Sequence, residues 1–239
     1  MKRIRRWRLV TGLAMAVELA GLQHSGAVAA GGPRPAFTIH LRNYAEVPSG
    51  TLAEAERVAT AIFQKAGIEV RWAEIDVSEG QVRRTRIQGQ PMGLSDIQVN
   101  VFPDAAPIPE GVADSVMGVA PGTGTDRTLV DVFHGRVRAL FGRLSSEYLK
   151  EDLNWHVSEA QIFGHVIAHE IGHLLLNQQV HSPRGIMRGE WSFPDFRDMS
   201  SGLLLFTPQQ MRFLRAEVAR RSAHEAAVVA SAKPSSAAR

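Results

Sequence analysis

The sequence predicts an α+β fold: a mixed, mainly parallel twisted sheet with an antiparallel edge strand, one long helix carrying the chemistry, and a small C-terminal lobe with a terminal helix. Three observations point there. Alternating apolar and polar residues mark short strands, and these are interrupted by apolar stripes at helical spacing. The first such unit runs strand, helix, strand, which makes its two strands parallel. Late in the chain, Ser158-Glu159-Ala160-Gln161 and Thr207-Pro208-Gln209-Gln210 are capping boxes, each opening a helix.

Phe37-Thr38-Ile39-His40-Leu41 alternates and is rich in strand formers, and Pro48-Ser49-Gly50 breaks it. From Leu52 to Ala66, the residues Ala55, Val58, Ala59, Ile62 and Phe63 form a helical stripe. Gly67 then stands where left-handed residues end helices, and Ile68 to Trp72 resumes as a strand. Residues 78–95 are polar, carry Arg83, Arg84 and Arg86, and read as a mobile surface loop, with a lid as the alternative. Ile97 to Phe102 is a strand, Pro103 to Pro109 a turn, Ser115 to Ala120 the edge strand and Thr128 to Val132 another strand. Gly122-Thr123-Gly124-Thr125 lacks the ending of a phosphate loop and reads as a strand connection. One helix is expected from Phe133 to about Leu149, a second from Ser158 to Asn177, and a third from Thr207 to about Ser222. The Ala/Ser-rich residues 223–239 read as a disordered tail.

At 239 residues the chain suits one domain. We place it at residues 31–222, with an N-lobe over about 36–177 and a C-lobe over about 178–222. There is no cysteine, which excludes disulfide scaffolds, cysteine-ligated zinc, iron–sulfur clusters and thiol nucleophiles. The net charge of +3 is local. Lys2, Arg3, Arg5, Arg6 and Arg8 precede an apolar run from Leu9 to Leu22, and Glu18 is the one acid of that segment. Of 27 basic and 24 acidic residues, 22 and 23 then remain, so composition gives no support to nucleic-acid binding. The basic stretch, the apolar run and Ala27-Val28-Ala29 have the order of a secretory signal peptide over residues 1–30. The expected location is therefore periplasmic or extracellular, with no stable membrane insertion after cleavage.

The chemistry lies on the helix from Ser158. His169-Glu170-Ile171-Gly172-His173 is an HExxH motif. Four helical residues rise about 6 Å and turn about 400°, so both imidazoles leave one face and converge on one ion. Zinc accepts neutral imidazole, and Glu170, one residue along, can take a proton from a zinc-activated water as general base. A catalytic zinc needs a third protein ligand. His181, Glu190, Asp195 and Asp198 follow the helix. His181 leads, because four extended residues after Asn177 reach roughly 13 Å. Ser182-Pro183-Arg184-Gly185 then forms a tight turn delivering Met187. His165 lies one turn before His169 and reads as a core or supporting histidine, because three ligands in line along one helix would span about 12 Å. Trp191 and Arg188 are candidates to line the cleft or to pack within the lobe. No Gly-x-Ser-x-Gly elbow competes.

His169-Glu170-Ile171-Gly172-His173, then His181-Ser182, then Gly185-Ile186-Met187 resembles the metzincin clan of zinc metallopeptidases, and more closely its small exported bacterial members. The likeness is strongest over residues 158–191 and extends, on element order, over about 36–215. It implies a zincin-like fold, a zinc ion held by His169, His173 and His181, Glu170 as catalytic base, and a methionine turn at Met187 beneath the metal. The clan's spacing places glycine at Leu176 and histidine at Gln179; here Asn177 ends the helix and the third histidine comes two residues later. The expected function is an exported zinc metalloendopeptidase acting on peptide or protein substrates. The alternatives are a gluzincin-like peptidase using Glu190 or Asp195 as third ligand, and a non-catalytic exported zinc-binding protein. Substrate preference and oligomeric state are not legible.

Overall fold

The computed structural model describes residues 7–8, 34–76, 83–84, 92–103, 116–121, 127–151, 155–178 and 181–232. The segment read as a signal peptide, the Pro-rich turn and the Gly122–Thr125 connection lie almost wholly outside them. Within residues 1–30, only β1 (Trp7–Arg8) is described, paired antiparallel with β8 (Glu190–Trp191). A ladder that short adds little stability on its own.

The main sheet is built from β2 (Ala36–Asn43), β3 (Glu69–Asp76), β4 (Arg83–Arg84), β5 (Asp96–Phe102), β6 (Gly118–Val119) and β7 (Leu129–Phe133), in the order β4-β3-β2-β5-β7-β6. The central strands β3, β2, β5 and β7 are parallel. Both edges, β4 and β6, are antiparallel. The expected antiparallel edge strand is therefore present, and a second one lies within the segment read as a loop. Phe37, Ile39 and Leu41 of β2 are buried, as the alternation requires, and β5 and β7 bury Val99, Val101, Val130 and Val132 in the same core.

Helix α1 (Ser49–Lys65) connects β2 to β3 and buries Leu52, Ala55, Ala59, Ile62 and Phe63. Gly67 takes φ +78°, the left-handed turn that reverses the chain into β3. Helix α2 (His134–Glu151) leaves β7 directly. Helix α3 (Glu159–Leu175) is the centre of the molecule, and every residue from Ile162 to Leu175 is buried. Its capping box forms in full: Gln161 N donates to Ser158 Oγ at 3.1 Å, and Ser158 N to Gln161 Oε1 at 2.9 Å. A Cβ on Gly164 would lie 2.6 Å from the Ala55 carbonyl, so glycine is what lets α3 approach α1.

Among the described residues, two helices follow residue 178. Helix α4 (Phe193–Ser200) is absent from the sequence reading. Helix α5 (Pro208–Ala232) opens at the second capping box and continues well past Ser222, the expected end. Residues 223–232 contain no helix breaker, and Pro234 is the first to follow, so the alanine-rich stretch propagates the helix. Arg215 of α5 donates to the Ala66 carbonyl at 2.8 Å, and Arg221 to the Arg127 carbonyl at 2.9 Å. These bonds fix α5 to the end of α1 and the entry to β7. Among the described residues no helix is long and apolar enough to cross a membrane.

Candidate metal centre

His169 and His173 stand one turn apart on α3 and are fully buried. His169 Nδ1 lies 2.7 Å from the Ile186 carbonyl, and His173 Nδ1 lies 2.7 Å from the Gln178 carbonyl. A carbonyl only accepts, so each Nδ1 carries the proton and each Nε2 presents a lone pair. The two Nε2 atoms are 3.0 Å apart. With both Nδ1 atoms protonated, a hydrogen bond between the Nε2 atoms would require an imidazolium. Burial, and then the neighbouring histidine, holds His169 well below the ordinary histidine range. Burial also lowers His173, to about 4. Both rings are therefore neutral near pH 7, and two lone pairs face one another across a gap that suits a cation. Ligand atoms of a tetrahedral zinc with bonds of about 2.0–2.1 Å sit about 3.3 Å apart.

His181 joins them. The ligand nitrogens of His169, His173 and His181 all lie within 4.8 Å of one another. The His181 ring centroid is 4.9 Å from that of His173 and 5.4 Å from that of His169. Its Nε2 is buried and has no hydrogen-bond partner among the described residues. Burial lowers its pKa as well. Three neutral imidazoles with converging nitrogens, one of them orphaned, form a donor set that fits zinc.

The return of the chain depends on Asn177. It adopts φ +50°, Gln178 N donates to the His173 carbonyl at 3.2 Å, and Asn177 N to the Leu174 carbonyl at 3.4 Å. This is a Schellman ending with asparagine in the glycine position. It also carries the Gln178 carbonyl to His173 Nδ1. Beyond it, Ser182 N donates to the Met187 carbonyl at 2.8 Å, and Gly185 takes φ +73°. Met187 is buried directly under α3: a Cβ on Gly172 would lie 2.6 Å from its Sδ. A Cβ on Gly189 would lie 2.7 Å from His181 Nδ1, so the bare backbone there makes room for the third imidazole.

The alternative third ligands are placed elsewhere. Asp195 Oδ2 accepts from Ser192 N at 2.7 Å, Ser192 Oγ at 2.6 Å and Arg188 Nη1 at 2.8 Å, which caps α4. A carboxylate so engaged is not available to the histidine cluster, and Arg188 is its partner rather than a bare cleft wall. Glu190 and Asp198 are not members of the converging group. His165 is also outside it; it is buried, with Nδ1 2.7 Å from the Gln161 carbonyl, and its pKa falls to about 4 through burial.

Glu170 is buried at 1% exposure, and its Oε2 has no hydrogen-bond partner among the described residues. Burial raises its pKa to about 8. Two neighbours were not legible in the sequence. Gly118 of β6 faces Glu170 so closely that a Cβ would lie 2.6 Å from Glu170 Cγ. Arg127 donates to the Ala120 carbonyl at 2.9 Å and to the His173 carbonyl at 3.3 Å, tying the edge-strand end to the end of α3. Both contacts join residues far apart in the chain, and no local motif marks them.

No family model matches the chain, and no curated protein matches it. Among solved structures, archaemetzincin from Methanopyrus kandleri aligns over 81% of this chain and 100% of its own, with 13% identity and a TM-score of 0.40. A likeness at that TM-score assigns neither fold nor function, so the metal-centre reading rests on the side chains themselves.

Proposed function

We propose that the chain is an exported zinc-dependent peptidase of the metzincin kind, with His169, His173 and His181 as metal ligands and Glu170 as general base. One observation carries the reading. Two imidazoles, each with its Nδ1 proton held by a carbonyl, aim their lone pairs at one another at 3.0 Å beside a third, orphaned imidazole. Such an arrangement repels itself unless a cation occupies the common point.

Zinc held there would acidify water and polarise the substrate carbonyl. The chain supplies the rest. The Ile186 and Gln178 carbonyls hold two rings in the metal-binding tautomer. Glu170 stands beside the ligands with its Oε2 free of other partners among the described residues. With the metal bound, its Oε2 would serve as general base toward the attacking water and as proton donor to the leaving amine. Strand β6 ends the sheet, and its Gly118 lies against Glu170. An extended peptide adding to that edge would bring its backbone past the base and the metal.

The test is metal analysis of the purified protein combined with cleavage of a mixed peptide pool. The expected result is one zinc per chain and cleavage abolished by a chelator. Zinc binding with no turnover would leave the non-catalytic alternative; absence of metal binding would refute the centre itself.

A further inference from the structure

We propose that Trp191 is a positioning residue for the metal centre: its indole N–H and ring fix the carbonyl and the imidazole that set His169. The inference rests on the metal-centre reading above and extends it to a residue outside the ligand set and the HExxH motif. Trp191 Nε1 donates to the Ile186 carbonyl at 3.1 Å, the same oxygen that accepts from His169 Nδ1 at 2.7 Å. A carbonyl has two acceptor sites, and here both are filled. Ile186 is anchored a second time through its own N–H, in the preceding peptide unit, which donates to the Leu205 carbonyl at 2.9 Å. The Trp191 bond thus opposes any swing of the oxygen away from His169, and the Leu205 bond anchors the residue that carries it.

The ring acts along with the N–H. Trp191 is buried at 4% exposure. Its ring stands perpendicular to the His169 ring, with centroids 5.8 Å apart at 87°. It meets His165 in the same way, 6.4 Å apart at 86°. The edge-to-face contact restricts rotation of His169 about χ2, and the shared carbonyl fixes its tautomer. The bond from Trp191 to the Ile186 carbonyl also spans the turn that carries Met187 beneath α3.

A core tryptophan without this role would contribute to folding and leave metal affinity alone, which separates the two cases. The W191F variant keeps an aromatic ring but removes the N–H donor and part of the buried ring volume. Its zinc dissociation constant, measured by chelator competition, is expected to rise up to about 10-fold, the lower end of what losing a direct outer partner of a ligand histidine costs, because the Ile186 carbonyl itself remains. The metal-free melting temperature should also fall, as after any large-to-small core change, so the zinc affinity of the folded variant is the deciding measurement. An affinity within about twofold of the parent overturns the inference, while failure of the parent chain to bind zinc overturns the metal-centre reading on which it rests. A second measurement covers a W191F chain that does not fold. The variant carrying W7F, W72F and W155F keeps Trp191 as its single indole, since the chain has four tryptophans. Coordination of zinc polarises the adjoining imidazole, so Trp191 emission is expected to change and to saturate at one equivalent. Emission that stays constant while zinc binds overturns the inference.

Discussion

The two imidazoles on α3 and the one on the returning loop reach a common point by different means. His169 and His173 sit on a helix whose every turn is buried, and each has its Nδ1 proton on a backbone carbonyl. Their geometry is set before any ion arrives. His181 lies beyond the helix end, half-buried, and is held by the turn around it and the bare backbone of Gly189. The helix thus supplies precision, and the loop supplies closure. The difference implies unequal roles in metal binding, and the ligand substitutions measure it. H169A or H173A is expected to weaken zinc binding beyond the 10–100-fold typical of an outer partner, because each removes a preorganised ligand. H181A should have the smaller effect, leaving a two-ligand site that still takes up zinc weakly. Equal losses at all three positions would break the distinction. Metal titration by chelator competition gives the answer.

Glu170 belongs to the rigid half by position but not by task. E170Q keeps the shape and removes the base, so peptide cleavage should fall about 10²–10⁴-fold while zinc content stays constant. Chelator-sensitive cleavage retained in E170Q would show that the proton goes elsewhere. The contrast between unchanged metal content and lost turnover also separates the base from the ligands on either side of it.

The same division describes what could be read from the sequence. Local signals were legible: the two capping boxes, the alternation of β2 and β5, the left-handed residues at Gly67 and Asn177, and the HExxH pair. Each depends on residues within a few positions of one another. The reach argument for His181 was legible too, because it needs only a chain length. Helix α4 was hidden by Asp195, a residue type that serves equally as metal ligand or helix cap, and only the contacts of Ser192 and Arg188 decide between them. Gly118 against Glu170 and Arg127 against the His173 carbonyl depend on strand pairing across the fold, which no local pattern encodes. The second antiparallel edge, Arg83–Arg84, is two residues long, too short for an alternation to be seen.

The interface between α3 and the turn beneath it is the next test of the rigid half. G172A would place a Cβ 2.6 Å from Met187 Sδ and 2.8 Å from Phe206 Cε1. Overpacking of this kind costs about 1–3 kcal/mol, and it would push Met187 and the Ile186 carbonyl away from His169. Denaturant unfolding should show the loss. M187L, which conserves volume, is expected to cost less than about 1.5 kcal/mol. If G172A is neutral, α3 and the turn are not as closely seated as the contact requires.

Acid should weaken the metal-free fold in a defined window. His165 is buried and neutral, with its pKa lowered to about 4 by burial, against 6.5 in the unfolded chain. The unfolded state therefore binds the extra proton first. The stability carried by the neutral ring is fully present above pH 6.5 and is lost as the pH falls through about 4. H165Q, which does not titrate, should lessen but not abolish the slope of stability against pH in that window, because burial also lowers His169, His173 and His181. A parent chain whose unfolding free energy is level from pH 6.5 to 4 would contradict the burial of this ring.

Asn177 marks the boundary between the two halves, and it carries the smallest expected effect. Its φ of +50° costs an ordinary L-residue about 1–2 kcal/mol, a cost that asparagine lessens and glycine avoids. N177A should therefore destabilise the chain by about 1 kcal/mol, while N177G, which trades that strain for lost chain entropy, should be close to neutral. The consequence for the site is more specific than the stability change. Asn177 turns the chain so that the Gln178 carbonyl faces His173 Nδ1 at 2.7 Å. N177A, by loosening that turn, should weaken zinc binding as well, and N177G should restore it. Should N177A lose stability with no change in zinc affinity, His173 would be oriented by its own helix alone, and the helix and the loop would be independent to a degree that their shared carbonyl argues against.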